Sequence, residues 1–372
     1  MAVAGEENAA ADQNCDVGRS TWCAGPVSSG TPLPSIRRRL AGWLSRAEQT
    51  LDDRVADVLR RRPGWQLEVV PYVGSGTTNR AHLRARVVLR SSSDSSGDGV
   101  LATSLRRYLA VEVRGETVTI EVGGRRSEAR SEWEGYVESR IDVELTPGWH
   151  EVTWTVAGSS TTGRLLVVDP EATLGLVSDI DDTVIHTGLT RAYEAARNTL
   201  LVAEEDRLPI PGAAELYSRL VAGDAGRAPV FYVSTGAWNL HEPMEQFLER
   251  NHFPAGPLVM TDWGPGVGWV FREGSVAFKS RIVLDLLAEH PHLRWVLVGD
   301  SGQHDPEAYS TVVRERPDRI VAVYIREVLP DSLTRAARVR ELADELAVLG
   351  VPMLLVRDSD EAVQHAQSLG LL

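Results

Sequence analysis

With 372 residues, 43% of them apolar and 24% charged, the chain is a globular protein long enough to hold more than one core. Its formal charge of −13 argues against a nucleic-acid binder, whose footprint is a basic face. No run approaches the roughly 18 apolar residues that a membrane-spanning helix requires, and the acidic opening "MAVAGEENAAADQNCDVG" lacks the apolar centre of a secretory signal, so the expectation is a cytoplasmic protein.

Residues 1–34 are rich in Ala, Gly, Ser, Pro and acidic groups, and read as a disordered leader. The two cysteines, Cys15 and Cys23, fall in it and read as flexible thiols. Over 35–62 the pattern predicts one amphipathic helix: Ile36, Leu40, Trp43, Leu44, Leu51, Val55 and Leu59 recur at three- and four-residue steps behind a Ser35 cap. Two arginine triplets make this helix basic, which allows peripheral contact with a membrane surface. Glu48, Asp52, Asp53 and Asp57 dilute that face and favour docking of the apolar stripe on the domain that follows.

From 63 to 169 the period becomes two. "AHLRARVVL", "RRYLAVEV", "ETVTIEV", "GYVESRIDVEL", "HEVTWTV" and "GRLLVV" are short β-type runs between Gly, Ser and Pro clusters. Roughly seven strands of this kind predict an antiparallel, sandwich-like all-β domain, with no catalytic constellation in it.

From 170 to 372 continuous apolar runs ("LGLVSD", "APVFYVS", "PLVM", "RWVLVGD", "RIVAVYI", "PMLLV") alternate with helical stretches. That alternation predicts an α/β domain with a parallel sheet covered on both faces. Ligands of such sheets bind at the carboxyl ends of the strands. There the sequence places Asp179, Asp181, Asp182 and Thr183 after the first strand, Ser234, Thr235 and Gly236 after the second, and Asp300 and Asp305 after a later one. Carboxylates gathered in a dry crevice repel one another unless a cation joins them, and an all-oxygen set suits Mg²⁺. Of the 39 Lys and Arg residues only Lys279 is a lysine, expected at the start of a helix.

"SDIDDT", "FYVST", Lys279 and "VGDSGQHD" together resemble the four motifs of the haloacid-dehalogenase-like phosphatases. "DIDDTVIHTGL", "PAGPLVMTDWG", "GDSGQHDPEAY" and "AVYIREV" are similar to the bacterial relatives of the actin-patch-protein type of phosphatidate phosphatase. The resemblance implies a Rossmann-like parallel sheet and a Mg²⁺-dependent phosphomonoesterase. In its terms Asp179 is the nucleophile, Asp181 the general acid and base, and Asp179, Asp181 and Asp300 the metal set. Ser234, Thr235, Gly236 and Lys279 hold the phosphoryl group, and Asp305 orients Lys279 or a metal-bound water. The implied substrate is phosphatidate or a related lipid phosphate, against a soluble metabolite, a phosphoprotein, or a non-catalytic interaction role. The chain departs from the family in having Phe278 before the lysine, and Ala237 where a proline is usual. His186, Arg191, Trp238, Trp263 and Trp269 are candidates for substrate contact.

Overall fold

The computed structural model describes residues 56, 58–91, 111–186, 208–261, 274–328 and 332–372. Every described residue belongs to one compact unit, Ser45–Leu372. The leader, both cysteines, most of the 35–62 helix, the first five residues of the strand expected over 106–113, Arg191, Trp263 and Trp269 lie outside the described residues. Among the described residues no helix is long and apolar enough to cross a membrane.

The β-rich part contains β1 (Trp65–Pro71), β2 (Gly74–Thr77), β3 (Arg80–Ser91), β4 (Val111–Glu112), β5 (Thr117–Val122), β6 (Arg125–Arg130), β7 (Tyr136–Asp142), β8 (Gly148–Val156) and β9 (Ser159–Val167). They join in one hydrogen-bonded sheet of order β1-β3-β2-β9-β8-β5-β6, with β4 and β7 also paired to β3. The sheet curls so that β1 packs across β8 and β9 without pairing with them. Val69, Leu83, Ala85, Val87, Ile120, Trp154 and Leu165 fill the space enclosed.

This differs from the expected all-antiparallel sandwich in one informative respect. Short β2 pairs antiparallel with β3 and parallel with β9, so it links the two halves of the ladder. Its sequence "GSGT" permits this, because a Cβ on Gly76 would lie 2.4 Å from the Arg80 carbonyl oxygen.

The α/β part contains β10 (Leu174–Ser178), α1 (Ala213–Gly223), β11 (Val230–Ala237), α2 (His241–Arg250), β12 (Leu258–Thr261), α3 (Ser275–Glu289), β13 (Arg294–Asp300), α4 (Asp305–Glu315), β14 (Ile320–Arg326), α5 (Leu333–Ala347), β15 (Met353–Val356) and α6 (Ser359–Ser368). All six strands are parallel, in the order β12-β11-β10-β13-β14-β15. Alternate strand residues enter opposite layers, as the pleat demands. Leu176, Tyr232, Val298 and Tyr324 meet Tyr217 and Leu220 of α1, Phe247 of α2 and Ala362 of α6. On the other face α3 packs on α4 and α4 on α5. Gly175 there makes room for the Trp295 ring, which a Cβ would approach to 2.6 Å.

One expectation is corrected and one element was missed. Lys279 does not begin its helix: α3 starts at Ser275, so the ammonium projects from the second turn. Helix α4, which was not among the helical stretches expected, opens on "DPEAY", with Pro306 in the first turn, where its missing N–H costs nothing.

Candidate active site

The strand order puts β10 at the centre with β11 and β13 as its neighbours, so the three motif-bearing strands end side by side. Asp179 follows β10 and is 1% exposed; its N–H donates to the Val298 carbonyl of the adjoining strand at 2.9 Å. After it the chain turns sharply, with Asp182 in the left-handed region at φ 54°, a conformation that Asp tolerates better than most residues. Arg326 at the end of β14 donates to the Asp182 carbonyl at 2.8 Å and braces the turn.

Lys279 is also 1% exposed. Its Nζ donates to Asp179 Oδ1 at 2.6 Å and to Asp305 Oδ1. Burial pulls the ammonium's pKa down, but the two carboxylates outweigh burial and push it well above the usual lysine value. It therefore stays charged. The other Asp305 oxygen accepts from the Asp300 N–H at 3.1 Å. This close seat depends on Gly299, where a Cβ would lie 2.6 Å from Asp305 Oδ2.

Asp300 closes β13. Its Oδ1 accepts from the Gly302 and Gln303 N–H groups at 2.6 and 2.8 Å, while its buried Oδ2 has no hydrogen-bond partner. The Asp179, Asp300 and Asp305 carboxylates each offer an oxygen within 4.8 Å of the others. Burial, then Asp305, push the Asp300 carboxyl up to about 8 against the opposing charge of Lys279. Burial and the Asp305, Asp300 and Asp181 carboxylates likewise push Asp179 well above the carboxylate range. One ammonium does not balance these acids, and an orphaned carboxylate oxygen among them fits a hard divalent cation.

Asp181 stands apart from that cluster. Its Oδ2 accepts from Ser234 Oγ at 3.3 Å, and Ser234 Oγ accepts from the Gly236 N–H at 2.9 Å. Thr235 is buried, and the pairing of β11 with β12 slips in register between Ser234 and Ala237. A local irregularity of this kind at a strand end re-aims side chains.

Of the residues expected to meet substrate, His186 is exposed and hydrogen-bonds through its backbone N–H to Leu208. Trp238 is half-buried, its ring covered by the Arg86 guanidinium at 4.5 Å. Sequence reasoning missed Arg335. From α5 it donates to the Ser301 and Gln303 carbonyls and forks onto Glu307, fixing the loop that presents Asp300. No local pattern marks it, since an arginine on a helix face ordinarily faces solvent.

Residues 174–327 match the family model described as the catalytic domain of phosphatidate phosphatase APP1. The matched segment begins with β10 and ends just beyond β14, and so contains every carboxylate above. The chain is 32% identical over 153 residues to a Saccharomyces cerevisiae protein described as "Phosphatidate phosphatase APP1", covering 41% of this chain and 26% of that protein. An uncharacterized Schizosaccharomyces pombe protein is 26% identical over 158 residues, covering 42% of this chain and again 26% of the relative. The chain thus spans about a quarter of the length of the curated relatives it matches. A solved carbohydrate acetylesterase from Xanthomonas citri aligns with 12% identity over 68% of each chain at a TM-score of 0.26, too slight a likeness to bear on fold or activity.

Proposed function

We propose that this protein is a metal-dependent phosphomonoesterase of haloacid-dehalogenase type, acting through an aspartyl-phosphate on Asp179. The observation that carries the proposal is the buried Asp179–Lys279–Asp305 triplet beside the unpaired Asp300 Oδ2, all at adjoining strand ends. The match of this segment to a phosphatidate phosphatase catalytic domain supports it and makes phosphatidate or a related lipid phosphate the proposed substrate. Mg²⁺ is the proposed cofactor. Asp179 and Asp300, with the Asp181 backbone, would hold it, and when bound it compensates the charge of these carboxylates and of the phosphate.

The residues divide the rest of the reaction. An Asp179 carboxylate oxygen attacks phosphorus, while the Lys279 ammonium opposes the burial and neighbouring acids that favour its protonated form and screens it from the incoming dianion. As the bond from phosphorus to the leaving oxygen breaks, Asp181 gives that oxygen its proton. Water then attacks the phosphorus of the aspartyl ester. Asp181 takes up the water's proton, and cleavage of the bond to Asp179 releases orthophosphate. Ser234 and the amides beside it hold the transferring oxygens. A compact ammonium suits two carboxylates and a phosphate better than a planar guanidinium does.

The test is phosphate release from para-nitrophenyl phosphate and from phosphatidate vesicles, with Mg²⁺ or with EDTA. Both substrates should be hydrolysed with metal, and neither with chelator or after Asp179→Asn. Activity surviving Asp179→Asn rules out the covalent route. Turnover of the soluble ester alone moves the substrate class to soluble phosphates, a reading that the net charge of −13 favours, since it opposes approach to an anionic membrane.

A further inference from the structure

The β-rich part carries no catalytic group, yet its contacts converge on the segment behind Ser234. Trp238, His241 and Glu245 follow one another at three- and four-residue steps, and so share one stripe leading into α2. Each meets a different strand or turn of the β-rich part. Arg86 of β3 lies over the Trp238 ring at 4.5 Å. The Tyr72 ring, just beyond β1, stacks on His241 with centroids 4.5 Å apart. Arg164 of β9 is 3.9 Å from the Glu245 carboxylate.

Arg86 is the most constrained of these groups. It is 1% exposed, donates through Nε to Tyr72 Oη at 3.0 Å and through Nη1 to the Glu134 carbonyl at 2.6 Å. The Glu112 and Glu134 carboxylates each stand 3.7 Å from it. A guanidinium costs far more to bury than an apolar side chain that would merely glue two layers together. What it supplies is a fixed plane and fixed bond directions. The ring under that plane belongs to the residue immediately after the register slip at Ser234–Ala237. A second grip reaches α3, the helix of Lys279: His82 of β3 lies 2.6 Å from Glu138 and 3.9 Å from Glu289.

We propose that the β-rich part is a positioning element for the phosphate-binding end of the site, with Arg86 and Tyr72 fixing the 234–241 segment through Trp238 and His241. Arg86 is a positioning residue, remote from the reacting atoms. The irregular end of β11, whose ladder to β12 resumes only at Ala237–Thr261, is held by a second layer of protein as well. The proposal rests on Ser234 and Gly236 receiving phosphate, as above, and its test separates the two readings.

Arg86→Met and Tyr72→Leu, made in the full chain, are compared with wild type by amide hydrogen exchange and by inhibition of para-nitrophenyl phosphate hydrolysis with inorganic phosphate. The expected result is faster exchange confined to peptides spanning 234–241, with KM and the phosphate inhibition constant rising together by about tenfold. Arg86→Lys should restore only part of this, and Arg80→Ala, which breaks an exposed ion pair of the same strand, should change nothing. Unchanged exchange over 234–241 in either folded variant overturns the proposal. So does faster exchange spread evenly over both sheets with an unchanged inhibition constant. Should the wild-type protein hydrolyse neither ester, the phosphatase reading fails while the exchange comparison still decides the positioning role.

Discussion

Lys279 is held between two carboxylates, one of which, Asp305, is seated closely against Gly299. Lys279→Arg keeps the charge and loses the point geometry. Turnover of para-nitrophenyl phosphate is expected to fall by about 10² to 10³-fold, the range lost when one preorganised electrostatic contact is removed. Near-normal turnover would show that any cation suffices. The sequence made this residue conspicuous by its rarity and by its place between the Ser234 and Asp300 strand ends. Gly299 carried no such signal. Its requirement arises from an approach by Asp305 that only the folded loop creates.

The elements most legible in the sequence were the apolar strands buried on both faces. Strands β10, β13 and β14 read as unbroken apolar runs because both of their faces are covered. β6, "RRSEAR", carried no such mark, since it lies at the sheet edge with its side chains largely exposed. Helix α4 was hidden because its opening, "DPEAY", is also site chemistry. The loop between β13 and α4 is the element on which metal affinity should turn. Arg335→Ala frees the Ser301 and Gln303 carbonyls and leaves Glu307 unpaired, while touching none of the carboxylates. The Mg²⁺ concentration for half-maximal hydrolysis should rise by about 10 to 100-fold, as when outer contacts of a metal site are lost. An unchanged Mg²⁺ titration would mean that the Ser301 hydroxyl and its bond from the Val328 N–H hold the loop unaided.

At the scale of the molecule, the junction of the two sheets ends in paired acid-sensitive groups on consecutive residues. His290 is fully buried with both ring nitrogens unpartnered, and burial pulls its pKa down to about 4. The unfolded chain therefore takes up this proton first, and stability should begin to fall below pH ~6.5 and go on falling to about pH 4. The loss is on the order of 3 kcal/mol, and His290→Phe should flatten it. Glu289 adds a second window. Burial would raise its carboxyl, but the His82 ring, His290 and Arg84 outweigh burial and hold it at about 2. Its contribution is complete above pH ~4.5 and fades as pH falls towards 2. Thermal melts from pH 7 to 3 should show both windows, and one that persists in His290→Phe below pH 4 belongs to the Glu289 contact. These pairings join residues 82, 138 and 289, separations over which a sequence offers no periodicity.

The single lysine has a further consequence outside any reaction. A lysine-specific protease has one bond to cut in this sequence, Lys279–Ser280, and an acylating reagent has one side-chain amine to modify. Both targets sit inside α3 behind a 1% exposed ammonium that two aspartates keep protonated. The intact fold therefore conceals its only ε-amine, and cleavage or acylation at that position counts openings of the innermost part of the molecule, one event at a time.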